Sequence, residues 1–154
     1  MAAALTNDQL HDIASKALAH WPLEVASLTL ISQSENTVFR LETAGQGTFA
    51  LRLHRPGYHS LAELESEQIW TRALAEGGIA IPKVEPTKHH RFYVEASLGT
   101  PATTRQAGLI QWLPGEALAQ VLADQPSDSL LHDTYFALGA LIARCHLATL
   151  AWTP

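Results

Sequence analysis

The 154-residue sequence predicts an α+β fold, a small mostly antiparallel sheet with helices before and after it. Three observations carry that prediction. Thr48–His54 alternates without a break, with Phe49, Leu51 and Leu53 pointing one way and Thr48, Ala50, Arg52 and His54 the other, the period of a strand with one buried face. From His59 to Glu76 the apolar residues recur at helical spacing. From about Ser129 to Leu150 a long apolar helix carries Leu131, Tyr135, Leu138, Leu141, Ile142, Cys145 and His146.

In chain order, Thr6-Asn7-Asp8-Gln9 is a capping box, Thr at the N-cap and Gln three residues on. It opens a helix with Leu10, Ile13, Ala14, Ala17 and Leu18 on one face, closed by Pro22. Glu24–Ser32 and Val38–Thr43 read as two strands joined by the polar turn Gln33-Ser34-Glu35-Asn36-Thr37. Ala44-Gly45-Gln46-Gly47 then turns the chain into Thr48–His54, completing an antiparallel meander. Ser60-Leu61-Ala62-Glu63 is a second capping box, and Gly77-Gly78 stops the helix it opens. On that helix Leu64, Glu67, Trp70, Thr71 and Leu74 share a face. Glu67 is thus expected as a buried carboxylate in need of a cation, for which Arg52 is the nearest candidate. Ile79-Ala80-Ile81-Pro82 is an extended connection. Arg91–Ala96 and Gln106–Trp112 bring the strands to five. Leu113-Pro114-Gly115 breaks the pattern, followed by a short helix near Glu116–Ala123 and the polar loop Asp124-Gln125-Pro126-Ser127-Asp128. Two lobes are expected, residues 1–113 and 114–154.

Composition narrows the function. Hydrophobic residues at 47% and charged ones at 16% describe a globular chain. A net charge of −5 argues against a nucleic-acid or anionic-membrane binder, which needs a basic face. One cysteine excludes an internal disulfide framework and fits a reducing, cytoplasmic setting. No apolar run approaches the roughly 20 residues of a bilayer span, and Met1-Ala2-Ala3-Ala4 lacks the features of a secretory signal. The histidines do not assemble a metal site on paper. His89-His90 are adjacent, His54 and His59 flank a turn, and Cys145-His146 are consecutive on a helix. Cys145 is read as core, and Trp70, Trp112 and Tyr135 as packing residues. The side of the 48–54 strand away from the apolar set is more telling. A small residue, Ala50, next to a cation, Arg52, suits a flat ring lying over the one with an anionic tail reaching the other.

At residue level the chain resembles the aminoglycoside phosphotransferase and choline kinase-like family of protein-kinase-like fold, in particular its bacterial phosphotransferase members. Ser34-Glu35-Asn36-Thr37-Val38-Phe39-Arg40-Leu41 resembles the family's phosphate-covering turn and second strand. Phe49-Ala50-Leu51-Arg52-Leu53-His54-Arg55-Pro56-Gly57 resembles its third strand. Glu67-Gln68-Ile69-Trp70 through Leu74, followed by Ile81-Pro82, resembles its αC helix and the loop after it. Leu109-Ile110-Gln111-Trp112-Leu113-Pro114-Gly115 resembles its hinge, and Leu138–His146 the helix before its catalytic loop.

The resemblance implies a kinase-like amino-terminal lobe with an αC-type helix, a hinge and the first helices of a carboxy-terminal lobe, acting on ATP with Mg²⁺. Val38 and Ala50 would roof the adenine, with Ile110 as gatekeeper and the Gln111 carbonyl and Leu113 amide on the base edge. Arg52 would contact the phosphates and pair with Glu67, and backbone N–H groups of Ser34, Glu35 and Asn36 would cover the β/γ-phosphates.

The sequence departs from the family pattern in three places. The turn has no G-x-G-x-x-G. Position 52 is Arg where Lys is usual; Arg keeps the charge but brings a wider fork. No His-Gly-Asp loop ending in Asn, and no following metal-binding Asp, occurs in these residues. His132-Asp133 sits inside the long helix, so neither catalytic residues nor Mg²⁺ ligands are assigned, and the 154 residues alone are expected to be inactive. The expected partners are a nucleotide and a small-molecule hydroxyl acceptor, with self-association through an uncovered 130–150 helix. A non-catalytic nucleotide-binding or regulatory module, or a plain α+β interaction domain, are the alternatives.

Overall fold

The computed structural model describes residues 5–123 and 126–152. Met1–Ala4, Asp124, Gln125, Thr153 and Pro154, and with them the leader reading and part of the polar loop, lie outside the described residues. The elements are α1 (Asn7–Leu18), β1 (Val25–Gln33), β2 (Thr37–Thr43), β3 (Thr48–Leu53), α2 (Leu61–Glu76), β4 (Tyr93–Ala96), β5 (Arg105–Gln111), α3 (Leu118–Ala123) and α4 (Asp128–Ala151). Each expected helix and strand is present, with ends shifted by one or two residues at most places. Helix α1 is the larger departure. It stops at Leu18 rather than running to Pro22, because the His20 and Trp21 amides turn back onto Ala17 and Leu18. That turn drops the Trp21 ring into the core, where its Nε1–H donates to the Glu85 carbonyl at 2.7 Å.

The chain divides into two compact units. The first holds the chain up to Ser66 together with Pro82–Trp112, and the second holds Glu67–Ile81 and Leu113–Pro154.

In the first unit the five strands form one antiparallel sheet in the order β1-β2-β3-β5-β4. The meander forms because Thr43 and Gly47 close the β2–β3 turn, Gly47 taking a φ of +108° that a side chain would resist. Phe39 and Leu41 on β2, Phe49, Leu51 and Leu53 on β3, and Ala107 and Leu109 on β5 all point to one face. Leu10, Ile13, Ala14, Ala17 and Leu18 of α1 close over them to make the core. The apolar half of β3 therefore packs under a helix, and that helix is α1. Lys83–Glu85 runs along the end of β5 that β4 leaves unpaired: the Gln111 amide donates to the Lys83 carbonyl, the Glu85 amide to the Leu109 carbonyl, and Val84 bridges to Ile110. The second capping box is present in full, Ser60 N–H donating to Glu63 Oε2 at 2.7 Å and Glu63 N–H to Ser60 Oγ at 3.3 Å.

In the second unit α2 and the turn after it touch α4 at a few points. Trp70 Nε1–H donates to Thr149 Oγ1 at 3.3 Å, and Arg144 Nη2 donates to the Gly78 carbonyl at 2.6 Å, where the chain leaves α2 with Gly78 at φ +79°. Ser127 caps α4, its Oγ accepting from Leu130 N–H. Two expectations are corrected here. Cys145 is part-buried against an apolar hollow with Trp70, Ile142 and Leu150, not a core residue. And α4, at 24 residues with a mean hydropathy of 1.3 over its most apolar stretch, does reach the length and composition of a bilayer span. His132, Asp133, Arg144 and His146 interrupt its apolar run without lowering the average enough to disqualify it. Large apolar side chains on α4, among them Tyr135, Phe136, Leu147 and Leu150, are exposed.

Candidate functional site

The sheet face turned away from α1 gathers most of the residues singled out from the sequence. Opposed residues in an antiparallel ladder project to the same side. Arg40, Ala50 and Ile110 therefore form one row across β2, β3 and β5, and Val38, Arg52 and Gly108 form the next. Ala50 is the small residue at the centre, with Val38 diagonal to it on one strand and Ile110 opposite on the other. This is a shallow apolar patch with a guanidinium at its border. Val38, Ala50, Arg52 and Ile110 are all part-buried, so each still presents surface.

The borders of the patch come from residues outside the predicted site set. Gly108 is buried because the Tyr93 ring lies over it; a Cβ built there would come within 2.7 Å of Tyr93 Cε1. Tyr93 thus takes the place a side chain at 108 would fill, beside Arg52. At the other end the Arg40 guanidinium lies 5.4 Å from the centre of the Trp112 ring and pairs with Glu42 at 3.1 Å. The Trp112 amide donates to the Thr48 carbonyl, which carries the β3–β5 ladder one residue beyond β5. Arg40 and Gly108 stand beside Ala50 and Arg52 through strand pairing, not through alternation along one strand. The register that places them was not readable from the sequence.

Arg52 has no carboxylate partner among the described residues of this unit, since Glu42 pairs with Arg40 and Glu35 with Arg55. A cation on a part-buried surface without a fixed anion is available to one.

The β1–β2 turn is braced from behind. Arg55, just past β3, donates through Nη1 to Glu35 Oε2 at 2.7 Å, and its backbone N–H donates to Asn36 Oδ1 at 3.1 Å. The Ser34 N–H donates to the Asn36 carbonyl at 3.1 Å. Ser34, Glu35 and Asn36 are thus held as one small turn above the end of β3, with the Glu35 carboxylate turned to Arg55 and the Ser34 amide engaged within the turn.

His54 lies on the expected side of β3 but is covered there. It is only 5% exposed, its ring set edge-on to Tyr93 with centroids 5.5 Å apart, and its Nδ1 has no hydrogen-bond partner. Alternation gave the side but not the cover, because Tyr93 and the loops around β5 close over it. Burial, with the charges of Arg52 and His59 adding to it, lowers its pKa from 6.5 to about 4, so the ring is neutral near pH 7.

Glu67 and Leu113 lie in the second unit. Both are exposed. The expectation of a buried carboxylate at Glu67 is corrected: the buried members of that helix face are Leu64 and Leu74, and a solvated carboxylate needs no compensating cation. His132 and Asp133 contact each other at 3.2 Å on the exposed surface of α4. His89 and His90 occupy an exposed turn, with His90 at φ 58°. Among the described residues no group of three or more His, Cys, Asp or Glu side chains is arranged to hold a metal.

An α-covered antiparallel sheet with a helix following its third strand, and an open face carrying Val, Ala and a cation, is the architecture of a protein-kinase-like amino-terminal lobe. The phosphotransferase enzyme family model matches residues 27–154, and the chain belongs to that family. Among solved structures it is similar to a microcompartment-associated aminopropanol kinase, with 30% sequence identity and a TM-score of 0.73 over 93% of this chain and 42% of that one. An amicoumacin kinase in complex with AMP-PNP, Ca²⁺ and amicoumacin shares the fold, with 16% identity and a TM-score of 0.72 over 97% of this chain and 42% of that one. The chain therefore spans about 42% of the length of these two kinases. No curated protein matches it.

Proposed function

We propose that the open face of the sheet is the adenine-roofing surface of an ATP-dependent phosphotransferase that phosphorylates a hydroxyl of a small molecule. The observation that carries this is the adjacency, by strand register, of Val38, Ala50 and Ile110 with Arg52 on the one face that α1 leaves uncovered. A purine needs a flat apolar surface without protruding side chains, and Ala50 at the centre supplies it. A triphosphate needs a cation at the border, and Arg52 supplies that. The Glu35 and Asn36 amides, in a turn held by Arg55, are the donors proposed for the terminal phosphates. The Gln111 carbonyl is proposed for the base edge. Glu67 as the partner of Arg52, and the Leu113 amide as a base contact, rest on the family resemblance. The likeness to an aminopropanol kinase supports a small hydroxyl-bearing acceptor, and the 154 residues do not carry the acceptor's identity.

ATP fits these residues; Mg²⁺ does not, since no carboxylate set for it is gathered among the described residues and no step here runs through it. Phosphoryl transfer also needs a residue to orient the hydroxyl, and no His-Gly-Asp loop is present in the 154 residues. We therefore propose that this segment binds nucleotide weakly and transfers nothing by itself. The alternative is a non-catalytic nucleotide-binding or regulatory module. Calorimetric titration of ATP into a protein that includes the downstream sequence tests the reading. Saturable binding is expected, and its absence would overturn the assignment. Mg²⁺-dependent transfer by the 154 residues alone would overturn the division of labour.

A further inference from the structure

The row of the open face that holds Arg52 ends in an aromatic ring. Val38, Arg52, Gly108 and Tyr93 stand opposite one another across β2, β3, β5 and β4, so all of them face the same side. Gly108 has no side chain to stand between Arg52 and Tyr93, and the Tyr93 ring leans into that place. A Cβ at 108 would lie 2.7 Å from its Cε1 and 3.0 Å from its Cδ1. We propose that Tyr93 is a positioning residue for Arg52, directing the guanidinium towards the triphosphate end of the patch. This role rests on the nucleotide reading of the open face and deepens it.

An arginine side chain gains by being ordered before its anion arrives, because rotamer freedom lost on binding subtracts from affinity. On the open face Arg52 is flanked across the ladder by Val38 and, in place of a side chain at 108, by the Tyr93 ring. Along β3 it is flanked by Ala50 and His54. Tyr93 governs two of these sides. Its ring fills the β4 side directly, and it meets the His54 ring edge-on, with centroids 5.5 Å apart, on the other. Both rings are buried, so neither gives way easily to a neighbouring side chain. Neither is an anion near pH 7, so neither competes with a phosphate for the guanidinium. The directions left to Arg52 run over Ala50, which has almost no side chain, and past Val38 towards the Ser34–Asn36 turn. A purine lying over Ala50 closes the first, and the second leads to the amides proposed for the terminal phosphates.

Binding of ATP and of adenosine, measured in a protein that includes the downstream sequence, tests this for Tyr93→Leu, Tyr93→Phe and Gly108→Ala, each alone and combined with Arg52→Ala. Tyr93→Leu is expected to weaken ATP at least about fivefold and adenosine less than about twofold, with no further effect on ATP once Arg52 is replaced. Gly108→Ala, whose methyl group displaces the ring, is expected to act in the same way. Tyr93→Phe keeps the ring and is expected to restore the ratio of the two affinities. A ring that merely packs the sheet would weaken both ligands alike, and would do so again in the Arg52→Ala background; either result overturns the role. The order of Arg52 is also read without nucleotide, from NMR relaxation of its Nε–H group. It is expected to be rigid in the unsubstituted protein and in Tyr93→Phe, and mobile in Tyr93→Leu. No difference among the three overturns positioning whether or not ATP binds. That difference together with no ATP binding upholds the ordering of Arg52 by Tyr93 and overturns the nucleotide reading.

Discussion

The two faces of β3 are six residues of one strand put to opposite uses. Phe49, Leu51 and Leu53 are buried under α1, with Leu51 fully inaccessible. Ala50 and Arg52, on the reverse, are part-buried with no helix of the same unit packed over them. Burial of the first set holds the sheet together. The second set adds little to that: Ala50 has almost nothing to bury, and Arg52 meets no anion among the described residues of its unit. A strand whose reverse side is kept small in one place and cationic in the next has been left free of folding duties there, which is what a ligand surface requires.

Substitutions on the two faces separate these duties. Leu51→Ala, which opens a cavity in a site with no solvent access, is expected to lower unfolding free energy by about 2–5 kcal/mol in urea titrations. Arg52→Ala, the next residue and on the opposite face, is expected to change stability by less than about 0.5 kcal/mol. Its cost is expected in nucleotide affinity, at least tenfold in a protein carrying the downstream sequence. Equal stability losses in the two variants would erase the distinction between the faces.

His54 lies where the two duties meet, on the open side but buried. Above pH 6.5 it is neutral in both the folded and unfolded chain and contributes no pH dependence. Between about 6.5 and 4 the unfolded chain takes up a proton that the folded chain refuses, so stability falls as pH falls. The loss is expected to be at most about 3 kcal/mol, read as a drop in urea midpoint across that window. His54→Gln is expected to flatten this portion of the profile, and an unchanged slope would place its origin elsewhere. The smallest effect concerns the helix that follows β3. Ser60→Ala removes the cap that receives Glu63 N–H and is expected to cost about 1 kcal/mol. A loss below about 0.3 kcal/mol would show that packing alone sets the start of α2.

Both capping boxes, the meander and the long terminal helix were legible because each is a local matter. A hydroxyl three residues before a carboxylate or amide, or a glycine where φ must be positive, acts within one turn of chain. The core face of β3 was equally legible, since alternation needs no knowledge of the neighbours. The candidate site was legible in part. Val38, Ala50, Arg52 and Ile110 were found one by one, but Arg40, Gly108 and Tyr93 were not, because their relation to Ala50 and Arg52 passes through strand pairing. Glu67 is exposed although helical spacing sets it with buried residues, since spacing tells which residues share a face and not how far that face is covered. In α4 the few polar residues break the apolar run in the sequence while the helix as a whole stays apolar on average.

Taken by itself, the sequence determined the elements of this protein, their order and the inward face of its central strand, because turns, caps and period-two alternation are short-range and act residue by residue. The tertiary structure alone decided which reverse-side residues stand next to each other, that His54 is enclosed while Arg52 is not, and that the Tyr93 ring lies over Gly108. Those outcomes depend on register and on loops far apart in the chain closing over one another, and no local pattern encodes either.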